Sequence, residues 1–435
     1  MITEFTVSNF RSFYQPVTLS LLASHLRDGN ELDENAIVTA GRLRLLRSAA
    51  IYGANASGKS NLVRAFSFMR GFVLHSATRL QAGEETNIER HALRNEARQQ
   101  PASFQIIFTL GQERYRYGFE LDEKTVQSEW LYRTNQREAR LFVREGQEFD
   151  VATTLRREAP RSVQNQTRNN ALFLSVLAQY NSELAQNLLD WFRNRLHIIS
   201  GLSDVGYRRY TIKRFEQEER FRERVIELTR LADTGINGLT TKTISLDSPD
   251  FPPELRELTR KLIEEKNIPE SELVPLRMEA VHTVYDADSP TGEIRLDMEE
   301  ESEGTQKFVA LLGPLLDALE NGATLIVDEL DARLHPQLTR ELVRLFNSKE
   351  GNPNQAQLIF ATHDVGLLSE CMLRRDQIWF TEKDRFGATQ LYSLAEFSER
   401  NDASYLKNYL AGRYSAIPHL NALRPYLEEQ LRHDA

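Results

Sequence analysis

Two textures of hydrophobic and polar residues run along this chain, and they divide it. "ITEFTV" (2–7) alternates apolar with polar positions like an edge strand, and "QPVTLSLL" follows as a second strand after the turn in "SNFRSF". "LLRSAAIY" (45–52) reads as a further strand, and "NLVRAFSFMRGFVL" (61–74) has its apolar residues at helical spacing. The runs "PASFQIIFTL", "GQERYRYGFELD" and "KTVQSEWLYR", within 101–133, predict a β-meander with alternating aromatics and Gly/Asp turns. The first ~135 residues therefore predict a β-rich lobe.

From about 136 to 290 the period becomes helical. "NNALFLSVLAQYNSELAQNLLDWFRNRL" (169–196) and "RFEQEERFRERVIELTRLADTGI" (214–236) are strongly helical, and "PPELRELTRKLIEEKN" opens on prolines, which a first helical turn tolerates. No heptad seam lasts three repeats, so the insertion is expected to be compact rather than a coiled-coil arm. "SELVPLRMEAVHTVYDADSPTGEIRLDMEEES" returns to strands, with Asp-Ser-Pro-Thr-Gly as a hairpin turn. The whole predicts an α/β protein. Its parts are an N-terminal lobe over 1–135, a helical insertion over 136–285, a C-terminal lobe over 286–400 and a helical tail over 401–435.

"GANASGKS" sits between the strand ending near Tyr52 and the helix beginning near Asn61. It fits G-x-x-x-x-G-K-[ST] without a mismatch. Glycines there let backbone N–H groups turn around an anion, and the following helix aims its positive end at the same point. Lys59 would reach the outer phosphates of a nucleotide, and the Ser60 hydroxyl would ligate Mg²⁺.

Three later stretches complete the chemistry. "TLIVDELD" is an apolar run ending at Asp328 and Glu329, as buried parallel strands end where open α/β sheets bind ligands. Asp328 suits Mg²⁺, and Glu329 suits polarising the attacking water. "QLIFATHD" is a second such run, ending at His363, whose neutral ring could reach the γ-phosphate or that water. "SEGTQ" opens an apolar helix with a hydroxyl and small residues where N–H groups are free. Locally that is an ordinary N-cap. Since Lys59 and Ser60 already fill one phosphate site, it suggests a phosphate supplied by another subunit.

In this order the four motifs resemble those of ABC-type ATPases of the RecF, SMC and Rad50 kind. "GANASGKSNL" looks like Walker A, "SEGTQ" like the signature motif, "TLIVDELD" like Walker B with the D-loop, and "ATHD" like the H-loop. The opening "FTVSNFRSF" is similar to the first strand of these proteins. The resemblance implies an ABC-ATPase head that dimerises head to tail around two MgATP. Gly53, Asn55, Ala56, Ser57, Gly58, Lys59, Ser60 and Asn61 would surround the triphosphate, with Ser60 and Asp328 on the metal. Glu329 would be the base and His363 the γ-phosphate sensor, while Ser302, Gly304 and Asp331 would act across the dimer. Glu303 and Thr305 depart from the smaller residues common in the signature, and the Q-loop glutamine could be Gln105 or Gln127.

"TRNNALFLSVLAQYN" and "DASYLKNYLAGRYSAIPHL" resemble bacterial AAA15/AAA21-type ATPases, many of which pair with an effector in two-gene phage-defence or abortive-infection systems. About 70 residues follow His363, too few for the Toprim domain of the related overcoming-lysogenization-defect nucleases, so an effector, a nuclease or toxin, is expected on another polypeptide.

Composition narrows these expectations. At 435 residues, 40% hydrophobic and 27% charged, the chain reads as globular, and no apolar run is long enough to span a bilayer. The single cysteine, Cys371, excludes an internal disulfide, and the N-terminus lacks a secretory pattern, so a cytoplasmic location is expected. A net charge of −9 disfavours nonspecific coating of duplex DNA, although "RSVQNQTR" (161–168) and "GYRRYTIKRF" (206–215) are local basic patches. An ATP-driven switch acting on a partner is the first expectation, and a RecF-like DNA clamp in repair is the second. A non-hydrolysing scaffold and a transporter ATPase rank behind them.

Overall fold

The computed structural model describes residues 1–26, 28–200, 205–249, 251, 253–266, 273–369, 372–399 and 403–418. Cys371 and the tail beyond 418 lie outside them. The chain forms two compact units: one of Met1–Ser200, Ala318–Asp331 and Arg340–Ala435, the other of Gly201–Asp317 and Ala332–Thr339.

The first unit holds two large sheets. Seven antiparallel strands run in the order Glu148–Val151, Glu138–Glu145, Val126–Thr134, Glu113–Leu121, Ala102–Leu110, Ile2–Ser8 and Val17–Ser20. Along Ala102–Leu110 the alternation buries Phe104, Ile106 and Phe108 on one face. The second sheet runs Leu196–Ser200, Thr324–Asp328, Gln357–Ala361, Ser48–Gly53, Ile378–Lys383 and Thr389–Ser393. Its first five strands are parallel and the last is antiparallel. Ser48–Gly53, Thr324–Asp328 and Gln357–Ala361 are buried at every residue, as their apolar runs require.

The helix Lys59–Arg79 joins the two sheets. Its Leu62, Phe66, Met69, Phe72 and Val73 share one core with Phe5, Phe104 and Phe119 of the antiparallel sheet and with Ile51, Ile326 and Ile359 of the parallel one. Phe66 stacks on Phe5 with ring centroids 3.7 Å apart. Near the other edge of that core, Arg144 and Glu129 are both fully buried, 3.7 Å apart. Glu129 also accepts from Tyr117 Oη at 2.9 Å and from the N–H groups of Phe173 and Leu174, so it caps the helix Phe173–Gln179. Burial pushes its carboxyl pKa up, against the pull of Arg144.

The second unit contains the helices Val205–Gln217 and Glu219–Leu231, the helix Pro253–Lys266 and a sheet of Gly238–Thr243, Leu276–Asp286 and Ser289–Asp297. Helix Glu303–Asn321 packs closely on Val205–Gln217. A Cβ on Gly313 would lie 2.1 Å from Thr211 Oγ1, and that hydroxyl bonds Ala310 O at 2.5 Å.

Several expectations need correction. Ile2–Ser8 is an interior strand, paired on one side with Val17–Ser20 and on the other with Ala102–Leu110. A half-buried antiparallel strand alternates wherever it sits, so its pattern carries no edge signal. The expected boundary at 136 falls between two strands of a single sheet, Val126–Thr134 and Glu138–Glu145, and "EARLFVRE" is a strand rather than the start of a helical region. The stretch 169–196 breaks into Phe173–Gln179 and Glu183–Asn194 at Asn181, whose φ is 61°. The strand carrying the phosphate loop belongs to the parallel sheet, not to the β-rich lobe. The hairpin turn falls at Ala287 and Asp288, so it shares only Asp288 with the predicted five residues.

Candidate nucleotide site

Strand Ser48–Gly53 delivers the chain to a loop that closes into helix Lys59–Arg79. Gly58 has φ 120°, and a Cβ there would lie 2.3 Å from Thr389 Oγ1, so conformation and space both demand glycine. Ser57 is buried, its Oγ 2.6 Å from Thr381 Oγ1. Asn55 and Ala56 are exposed at the loop's tip, Ala56 with φ 62°. Lys59 is buried and folds back to donate to Gly53 O at 2.8 Å and Ala54 O at 3.1 Å. Desolvation lowers its pKa, while Asp328, Glu329 and Asp331 pull it upward. Ser60 Oγ donates to Asp328 Oδ1 at 3.1 Å, and Asn61 Nδ2 donates to Ser12 Oγ at 2.8 Å.

The parallel pairing brings three strand ends side by side. Asp328 closes one strand, and Glu329 follows in the left-handed region with φ 54°, sparsely populated for a non-glycine residue. Leu330 N–H donates to Ala361 O and Thr362 N–H to Ile51 O, both at 3.1 Å. His363 N–H donates to the Asp331 carboxylate at 3.1 Å to the nearer oxygen. Desolvation and then Lys59 lower the His363 pKa below 6.5, against the opposite pull of Asp331, Glu329 and Asp328. That direction leaves the imidazole neutral at pH 7. Lys59, Ser60, Asp328, Glu329, Asp331 and His363, chosen from three separate motifs, thus meet at one sheet edge.

The oxygen donors Ser60 and Asp328 suit a hard cation such as Mg²⁺. Among the described residues no cluster of three or more His, Cys, Asp or Glu side chains could hold a metal, so such a cation would need further oxygens from a bound ligand.

The signature turn belongs to the second unit. Ser302 is exposed and caps helix Glu303–Asn321, accepting from Thr305 N–H at 3.2 Å. Gln306 Nε2 donates to Glu301 O at 2.8 Å, and Glu303 pairs with Arg333 at 3.3 Å. A Cβ on Gly304 would lie 2.6 Å from Arg333 O, so glycine is what lets the chain after the Asp-Glu strand pass so near. Buried Lys307 donates to Ala332 O at 2.5 Å.

Sequence reasoning missed the residues that brace the phosphate loop. Thr389 Oγ1 lies 2.8 Å from both Ser12 Oγ and Ser57 O, and Thr389 N–H donates to Ser12 O at 2.7 Å. Only the "FRS" of the opening strand motif hinted at Ser12. Neither glutamine considered for the Q-loop bonds to the site: Gln105 accepts from Trp130 Nε1 at 3.0 Å, and Gln127 donates to Asp122 and Thr125. Three of the six basic residues in the two patches have partners within the fold, while Arg161, Arg209 and Lys213 are exposed. Arg208 pairs with Glu299, Arg214 with Glu218 and Asp317, and Arg168 donates to Ala77 O.

Fold and motifs together are those of an AAA-type ATPase domain. The chain belongs to the AAA_21 family, described as "AAA domain, putative AbiEii toxin, Type IV TA system", which matches residues 48–369. No curated protein matches it. Among solved structures it is similar to an SMC head bound to the C-terminal winged-helix domain of ScpA, at 18% identity and a TM-score of 0.36, over 90% of this chain and 97% of that one. It is also similar to the nucleotide-bound recombination mediator protein RecF, at 13% identity and a TM-score of 0.31, over 90% and 98%. No helix among the described residues is long and apolar enough to cross a membrane.

Proposed function

We propose that this chain hydrolyses ATP as a dimerising switch and that it is the ATP-binding partner of a separate effector, a nuclease or toxin, in an anti-phage defence system. The observation that carries the catalytic reading is the meeting of Lys59, Ser60, Asp328, Glu329 and His363 at one sheet edge. Lys59 leaves its two carbonyls for the outer phosphates, and the N–H groups around Gly58 hold the rest of the triphosphate. Ser60 and Asp328 would hold Mg²⁺, which offsets phosphate charge when bound. Glu329 orients and deprotonates the attacking water, and neutral His363 offers a hydrogen bond to the γ-phosphate.

Ser302 and Gly304 act on the triphosphate of a second copy, with Asp331 at the same junction. Ser302 is exposed, which leaves its hydroxyl and the helix start behind it open to a second copy. The effector reading is supported by the family's description, which names a toxin–antitoxin system. The net charge of −9 weighs against the DNA-clamp alternative.

Glu329→Gln tests the switch. Hydrolysis should fall about 10²–10⁴-fold while ATP stays bound, and the protein should elute as a dimer only with ATP. A monomer with and without ATP overturns the reading.

A further inference from the structure

We infer that the groove along the outer face of helix Lys59–Arg79 is the docking site for an acidic amphipathic segment of a partner protein. The groove encloses about 530 Å³ and lies wholly in the first unit. Phe10, Phe68 and Phe72 give it an apolar floor. Gly71 opens its middle, since a Cβ there would meet nothing within 4 Å.

The rim is cationic. Arg64 and Arg79 line it, about 60° apart around the helix at 100° per residue, with His75 as a polar neighbour between them. Arg64 and Arg79 are exposed and form no ion pair among the described residues. The one acidic lining residue, Glu89, is already neutralised by Arg11 at 2.5 Å. The field is strong enough to register on His75, whose pKa is lowered by desolvation and then by Arg79, Arg70 and Arg193. In a chain of net charge −9, an unpaired cationic stripe of this kind is a local exception.

Dimensions and ring geometry select the occupant. Arg64 and Arg79 are separated by about 22 Å along the axis, more than a small anion spans and close to the length of a fifteen-residue helix. Phe68 already stacks on Phe72 (5.6 Å, 11°) and on Phe104 (5.1 Å, 29°), so its faces are taken and cannot serve as a platform for bases. An amphipathic helix with apolar residues at i, i+3 or i+4, and i+7 instead fits an apolar trough edged by cations.

The groove is also wired to the phosphate loop. Phe10 and Arg11 line it, and the next residue, Ser12, contacts Asn61 and Thr389, which in turn contacts Ser57 O. A segment seated there would press on the brace that shapes the nucleotide socket. This inference rests on the reading that the chain acts on a partner.

The test is fluorescence anisotropy with a labelled helical peptide of about sixteen residues, Leu and Phe on one face and Glu on the other. Controls are its twin with Lys for every Glu, and a fifteen-nucleotide oligo(dT). The full chain should bind the acidic peptide at least about tenfold more tightly than the Lys twin. The double variant R64E/R79E and the groove-filling Gly71→Leu should each weaken it about tenfold or more, with fluorescent-ATP binding unchanged. Equal affinity for the two peptides, binding indifferent to the variants, or preference for oligo(dT) overturns the inference. Peptide binding is read without hydrolysis, so failure of Glu329→Gln to trap a dimer would sink the switch and leave the groove standing.

Discussion

The phosphate loop and the signature turn are both helix starts with free N–H groups, yet they are held in opposite ways. The phosphate loop, exposed only at its tip, is braced from far along the chain: Thr381 and Thr389 touch Ser57, Ser12 touches Asn61, and Asp328 touches Ser60. The signature turn is held from one side only, by Glu301, Thr305, the strip at Ala332 and Arg333, and Arg208 on Gln306, and it leaves Ser302 in solvent. A socket assembled from distant parts is rigid before any ligand arrives, because each part is fixed by a different strand. A turn that leaves its capping hydroxyl in solvent is a surface feature, and its chemistry depends on what meets it.

That contrast can be broken by substitution. Lys59→Ala has the largest expected effect. Removing the buried amine from the socket should lower hydrolysis by about 10²–10³-fold, measured by phosphate release, and unchanged turnover would remove the socket from the mechanism. Ser302→Arg should separate the two helix starts. Placed on the exposed turn, it should reduce hydrolysis by about tenfold or more yet leave fluorescent-ATP titration of dilute protein unaltered. Loss of ATP binding in that variant would show that the turn serves its own chain.

Thr389→Val sharpens the comparison with the smallest effect. It keeps the shape and deletes the hydroxyl between Ser12 and Ser57, which should cost about 1–3 kcal/mol in denaturant melts. The matching change Thr305→Val, on the locally held turn, should cost less, since Thr305 is partly exposed and water can replace its bond to Ser302.

Much of the site was legible because its pieces are contiguous runs. The glycines and lysine of 53–60 need only their own strand and helix, and "TLIVD" and "QLIFA" announce burial by being apolar at nearly every position. The bracing residues were not legible. Ser12, Thr381 and Thr389 are small hydroxyls in unremarkable strands or turns, and their meaning arises only when strands distant in sequence become neighbours. Leu196–Ser200 was hidden for the same reason. At the end of a helical run, "LHIIS" becomes the outermost parallel strand only by pairing with Thr324–Asp328.

Sequence by itself determined the β-meander over 101–133, which strands are buried on both faces, and that a turn of the phosphate-loop pattern precedes an Asp-Glu strand end and a histidine. Those features follow from local spacing and from residue chemistry that acts within a few positions. Tertiary structure alone decided the strand order that sets Asp328, Glu329 and His363 beside Lys59, the division into two units, and the cationic groove on the far side of the phosphate-loop helix. Pairing between segments hundreds of residues apart leaves no periodic trace in either one, so only the folded chain discloses it.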